Sequence, residues 1–472
     1  MCKDCDNEKD NEEMNDDKWE DDEELICLED PEDYEIVKRR RAQDRKVEKK
    51  HKELIMRVLG GEINAESVFI VPGYYYDLIG WALHTHIAEA GWKIVMKEGY
   101  HGSKPVYSDV STNHSTKQNL LTNGVLVLEK DKDILVVVLD SKGSSPCAMI
   151  VTGPERIRPV IEGFKDAVEK ITKERNFYRG QKILYYGIIL FMDVSDKSWD
   201  DLILDPETKD SIWSNTIGFL GNQDRLKEYN IPARRGVLMV GEPGTGKTLA
   251  CKGILSAAEG ITCITTRPDV LEHPGQLSLL YELAEDLAPS IVFLEDIDLI
   301  AQEREMSSYM RGSALLTLLS VLDGIEECSG VVTIATTNCK ETLDKAIAKR
   351  PSRFDRIIEF QKPALKQRTD LISLLCKSIP LDVHAQEYIA NKTDNFTPAQ
   401  IQEVIYSLAI DYCQKNEGPK PSCLICNKKE IDNAISKIDR NNKGQTIGFN
   451  LPLNGNMKRC GVNTPASNER SK

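Results

Sequence analysis

An α/β fold in two parts, followed by a helical segment, is what the sequence predicts. Three observations carry this: short apolar runs of strand length alternate with helical patterns through residues 60–361, a glycine-rich loop joins one such run to a helix, and only helical periodicity follows residue 361. With 472 residues, the chain is long enough for two or three domains that each bury a core.

Residues 1–33 hold 17 acids and 3 bases and read as an acidic disordered tail. That tail accounts for the net charge of −14, because the remaining chain carries 58 acids and 58 bases. A neutral folded portion argues against a nucleic-acid partner. Residues 34–59 read as a polar helix, solvated or in a short coiled coil, and its basic run Lys38–Arg41 is weighed as a nucleic-acid contact against a solvated face, which is favoured.

Residues 60–195 are read as an α/β N-terminal domain that binds a protein partner or substrate. Its strands are GVLVLEK, DILVVVLDS, CAMIVTG and a run near ILYYGIILFM, with an amphipathic helix over Glu155–Glu174. The stretch holding Tyr74, Tyr75, Tyr76 and Trp81 is weighed as a partner surface against helix core, and the spacing of Ile79, Leu83 and Ile87 favours core. His84 and His86 stand two apart on a helix and so point to different faces. No metal is assigned to them.

Residues 196–361 read as a second, larger α/β domain, 362–440 as a helical segment, and 441–472, rich in Asn, Gly and Ser, as a flexible tail. The longest apolar run, Ile183–Met192, is too short to span a bilayer. The start lacks the basic and apolar regions of a secretory signal, and the thirteen cysteines are mostly scattered singly, so the expected address is cytoplasmic. Cys2/Cys5 and Cys423/Cys426 form CxxC pairs without local zinc-ribbon spacing, and zinc is not assigned.

The chemistry is carried by Gly241, Glu242, Pro243, Gly244, Thr245, Gly246, Lys247 and Thr248, which follow the strand GVLMV and precede the helix LACKGILSAAE. Glycines at these positions let backbone N–H groups turn inward around phosphates at a helix N-terminus. Lys247 reaches the β/γ-phosphates and Thr248 offers a hydroxyl to Mg²⁺. About fifty residues on, PSIVFLEDIDLI ends in acids where a parallel sheet presents them beside that loop. Glu295 can hold Mg²⁺ through water, and Asp296 can orient or deprotonate an attacking water. The run VVTIATTN ends in Asn338, which can hydrogen-bond the water or the γ-phosphate.

With RPSRFDRIIEF, these elements resemble the AAA family of the AAA+ ATPases over roughly residues 196–438. The resemblance implies a P-loop parallel-sheet ATPase domain with a small helical lid, and ATP with Mg²⁺ as ligands. It places Glu295 and Asp296 at the Walker B positions, Asn338 at sensor 1, and Arg353 and Arg356 as arginine fingers that complete a neighbour's site. It also implies a homo-oligomeric ring, taken as a hexamer, that remodels protein partners.

Three departures bear on mechanism. The acidic pair is Glu-Asp instead of Asp-Glu, although the LEDID spelling and IPARRGVLMVGEPGTGKT are similar to the branch containing the mitochondrial Rieske-protein translocase. TTRPDVLEHPGQ lacks the aromatic–hydrophobic–Gly triplet with which threading members grip a chain. Thr397–Gln400 reads Thr-Pro-Ala-Gln where many members have Gly-Ala-Asp. An ATP-gated assembly scaffold or regulator with slow hydrolysis therefore stays open beside the remodeller. The sequence contains no HExxH motif, which argues against a metalloprotease.

Overall fold

In the computed structural model, described residues are 53–60, 64–99, 104–113, 115–140, 146–193, 198–267, 270, 274–297, 329–338, 354–416 and 421–442. They fall into two compact units. The first draws on Met1–Leu202, Pro206–Gly241 and Lys247–Glu359, the second on Ile203–Asp205, Glu242–Gly246 and Phe360–Lys472.

The first unit contains two sheets. Strands β1 (Asn64–Val71), β2 (Lys93–Glu98), β3 (Val106–Ser111), β4 (Lys117–Lys130), β5 (Asp133–Asp140) and β6 (Cys147–Pro154) form an N-terminal sheet in the order β1-β6-β5-β4-β2, with β3 also on β4. Among the described residues its pairings are all antiparallel. Alternation divides its two faces. Leu126, Leu128, Leu135, Val137 and Leu139 face a core shared with helices Tyr76–Glu89 and Arg158–Glu174, whereas Val125, Val127, Val136 and Val138 pack on Leu54, Ile55 and Leu59 of a helix over 53–59. Because both faces are covered, β4 and β5 read as continuous apolar runs despite being antiparallel.

The second sheet comprises β7 (Lys182–Tyr185), β8 (Ile189–Phe191), β9 (Arg234–Gly241), β10 (Thr262–Thr266), β11 (Ser290–Leu294), β12 (Val331–Thr337) and β13 (Arg356–Phe360), in the order β13-β9-β12-β11-β10-β7-β8. From β9 through β12, β11 and β10 to β7 the pairing is parallel, and β8 returns antiparallel on β7. Here the structure departs from the boundary drawn at 195. The run around 183–191 belongs to this sheet, with Ile264 of β10 opposite Ile183. Apolar periodicity identifies a strand but does not say which sheet it joins.

Tyr74 and Tyr75 are buried, and Trp81 lies edge-on to Phe177, so the aromatic stretch is packing material between the two sheets' layers. Tyr75 Oη donates to Asp286 Oδ2 at 2.6 Å, at the end of helix Pro274–Asp286, and accepts from Asn176 Nδ2 at 3.2 Å. His84 Nε2 accepts the Leu121 N–H at 3.1 Å, and His86 packs edge-on against Phe164.

The second unit contains helices Leu365–Cys376, Val383–Lys392, Pro398–Lys415 and Lys428–Asn442 around a core of Ile372, Ile389, Ile401, Val404, Ile405 and Ile431. Asp382 caps the second helix, and Thr397 with Gln400 forms a capping box on the third, whose Pro398 stands in the first turn. The acidic tail, Lys38–Arg41, Cys2/Cys5, Arg353 and residues 443–472 lie outside the described residues.

Candidate nucleotide site

Strand β9 is buried from Gly236 to Val240 and ends at Gly241, and the helix Lys247–Ala257 begins six residues later. Gly244 and Gly246 take φ of 79° and 107°, left-handed backbone that a side chain would strain. Thr245 closes the loop locally, its Oγ1 donating to the Glu242 carbonyl at 2.8 Å. These are the backbone requirements the glycine spacing implies.

The five loop residues group by contact with the second unit. There the Ala399 N–H donates to the Gly244 carbonyl at 3.2 Å, and a Cβ on Gly244 would stand 2.8 Å from Ala399 Cβ. Lys362 pairs with Glu242 at 3.0 Å. The Thr-Pro-Ala-Gln segment, which the sequence reading left without a role, thus supplies a small residue against which the loop closes.

In the first unit, Lys247 is 5% exposed, unusual for a lysine. Its ammonium donates to the Gly241 carbonyl at 2.7 Å and to Asn338 Oδ1 at 2.8 Å. Lysine has only donors, so the Asn338 oxygen faces it and leaves Nδ2 to donate to Asp296 Oδ1 at 3.3 Å. Thr248 stands beside Glu295. Burial pushes the Glu295 carboxyl above the usual range, and the neighbouring Asp296 charge adds to this, while the Thr248 hydroxyl opposes it. Three distant segments of the first unit, at 247–248, 295–296 and 338, therefore meet at the ends of β9, β11 and β12, where open parallel sheets present their sites.

Arg356 is not part of that cluster. It is exposed at the first position of β13, a strand at the end of the sheet order, with Nε donating to Ser211 Oγ at 3.3 Å. Sequence reasoning missed Thr336, whose hydroxyl accepts the Asp296 N–H at 2.9 Å. A threonine inside an apolar strand carries no motif to announce it.

The residues fit a nucleotide with Mg²⁺: a loop in left-handed backbone, a buried lysine, and a hydroxyl beside a carboxylate. Among the described residues no group of three or more His, Cys, Asp and Glu side chains is placed to bind a metal by itself.

Residues 237–362 match the family described as "ATPase family associated with various cellular activities (AAA)". The chain is 39% identical over 216 residues to a 26S proteasome regulatory subunit homologue of Methanocaldococcus jannaschii, covering 44% of this chain and 56% of the relative. It is 32% identical over 241 residues to the mitochondrial ATP-dependent zinc metalloprotease FTSH 3 of Oryza sativa subsp. japonica, covering 48% and 30%. Against the ATP-dependent zinc metalloprotease FtsH 1 of Alkaliphilus metalliredigens it is 26% identical over 332 residues, covering 68% and 53%. The similarity thus spans between 30% and 56% of the length of these relatives.

Proposed function

We propose, for a chain that carries an AAA ATPase domain, that it is a Mg²⁺-dependent ATP phosphohydrolase that uses turnover to remodel a protein partner engaged by the domain built on the N-terminal sheet. The observation that carries the hydrolysis reading is the connected chain Lys247–Asn338–Asp296 beside Thr248–Glu295. Lys247 neutralises phosphate charge, Thr248 and Glu295 would hold Mg²⁺, Asn338 orients the attacking water, and Asp296 accepts its proton. Magnesium, when bound, shields the charge on the phosphates.

Arg353 and Arg356 complete the site of an adjacent subunit, in a ring taken as six copies. Support for the arginines is the exposed end-strand position of Arg356, and support for the ring is family resemblance. A protein substrate is supported by the relatives, a proteasome regulatory subunit homologue and ATP-dependent proteases. Their metalloprotease chemistry is not carried over, because this sequence has no HExxH. A cytoplasmic address is kept as part of the proposal, and no described helix is long and apolar enough to cross a membrane.

A nucleotide-gated scaffold is the second reading, favoured by the shorter carboxylate at position 296. Lys247→Ala is expected to abolish ATP binding, whereas Asp296→Asn retains binding and loses turnover. Nucleotide binding and phosphate release measured on both variants check this. Normal turnover by Asp296→Asn would remove the catalytic assignment.

A further inference from the structure

Asp296 sits immediately beyond β11, and its φ of 51° is left-handed. Only a few non-glycine residues adopt that region, Asn and Asp foremost, because their short polar side chains tolerate it. The bend has a visible cause. The β11–β12 register ends at Leu294 opposite Ala335. The next residue on β12, fully buried Thr336, then receives two consecutive backbone donors. Its Oγ1 accepts the Asp296 N–H at 2.9 Å, and its carbonyl accepts the Ile297 N–H at 3.0 Å. Two residues further on, Asn338 meets the Asp296 carboxylate.

We propose that Thr336 is a positioning residue for ATP turnover: its hydroxyl and carbonyl together clamp residues 296–297 into the bend that aims Asp296 at Asn338. This rests on the hydrolysis reading and deepens it. It also accounts for the Glu-Asp order, since the bend places the second acid in backbone that a short side chain accepts. A Glu there would carry an extra methylene into the same left-handed geometry, so restoring the commoner spelling gives no gain.

The test compares the full-length wild type, Thr336→Val, Thr336→Ser and Asp296→Glu in steady-state ATPase assays with Mg²⁺, alongside fluorescent-ATP binding and thermal melting. Valine keeps the shape of threonine and leaves the Asp296 N–H unpaired, so kcat is expected to fall about tenfold or more while KM and nucleotide affinity hold and Tm drops only by the few degrees that one unsatisfied donor costs. Serine keeps the acceptor and is expected to recover most of that loss. Asp296→Glu is expected to turn over more slowly than wild type. It provides a reading that stands even if Thr336→Val fails to fold.

Wild-type kcat in Thr336→Val, a Thr336→Ser as slow as the valine variant, or an Asp296→Glu faster than wild type would each overturn the role. A parallel fall in affinity, Tm and kcat would make Thr336 merely structural and overturn it too. An inactive wild type overturns the hydrolysis reading itself and this role with it. An active wild type with an equally active Thr336→Val overturns the role alone.

Discussion

At Gly244 and Asp77 the cost of a single group can be reasoned directly. Gly244 combines a φ of 79° with a prospective Cβ contact of 2.8 Å to Ala399, so Gly244→Ala is strained in backbone and in space. Nucleotide affinity is expected to fall at least tenfold, measured by titration with a fluorescent ATP analogue, with the fold retained by circular dichroism. Burial pushes the Asp77 carboxyl up to about 6, against a lowering hydrogen bond with Tyr76. The folded state therefore holds the proton more tightly than the unfolded chain, and stability falls as pH rises from about 4 to about 6. Asp77→Asn is expected to flatten that slope and raise Tm at pH 7 relative to wild type, read from melts across pH 4–8. Residues such as Lys247 and Asn338 were legible because their motif spells them. Thr336 was not, because its role exists only once β12 lies beside β11.

Among the elements, the apolar strands β4, β5 and β6 were visible as runs, while β2 (KIVMKE) and β3 (VYSDVS) were not. Those two are mostly polar or exposed, and strand identity there comes from pairing with β4. Likewise, the run near 183–191 was recognised as strand and attached to the wrong neighbours, because parallel pairing with β10 is a long-range fact. The helix over 53–59 looked solvated from its polar upstream residues, yet Leu54, Ile55 and Leu59 cover one face of the N-terminal sheet. Leu54 is 6% exposed, and Leu54→Ala is expected to cost about 2–3 kcal/mol, read from the shift in urea midpoint at unchanged slope.

For the whole molecule, the proposed machine depends on residues acting across subunits. Arg356→Ala is expected to retain nucleotide binding and lose turnover, and mixing it with Lys247→Ala protein is expected to restore part of the rate. In mixed rings an intact Arg356 faces an intact Lys247 at some interfaces, so mixed-variant ATPase assays give a yes-or-no answer. The glycine-rich loop and the acidic strand end were both legible before the fold. The shared core linking the N-terminal sheet to the ATPase sheet was not, since Tyr74, Tyr75 and Tyr185 earn their burial only against each other and helix Pro274–Asp286.

The steady-state ATPase rate per subunit, measured with Mg²⁺ over a range of protein concentrations with Asp296→Asn as control, tests the central claim most directly. A specific rate that rises cooperatively with concentration and vanishes in the variant is the expected result. ATP binding without measurable hydrolysis at any concentration would contradict it and leave the nucleotide-gated scaffold in its place.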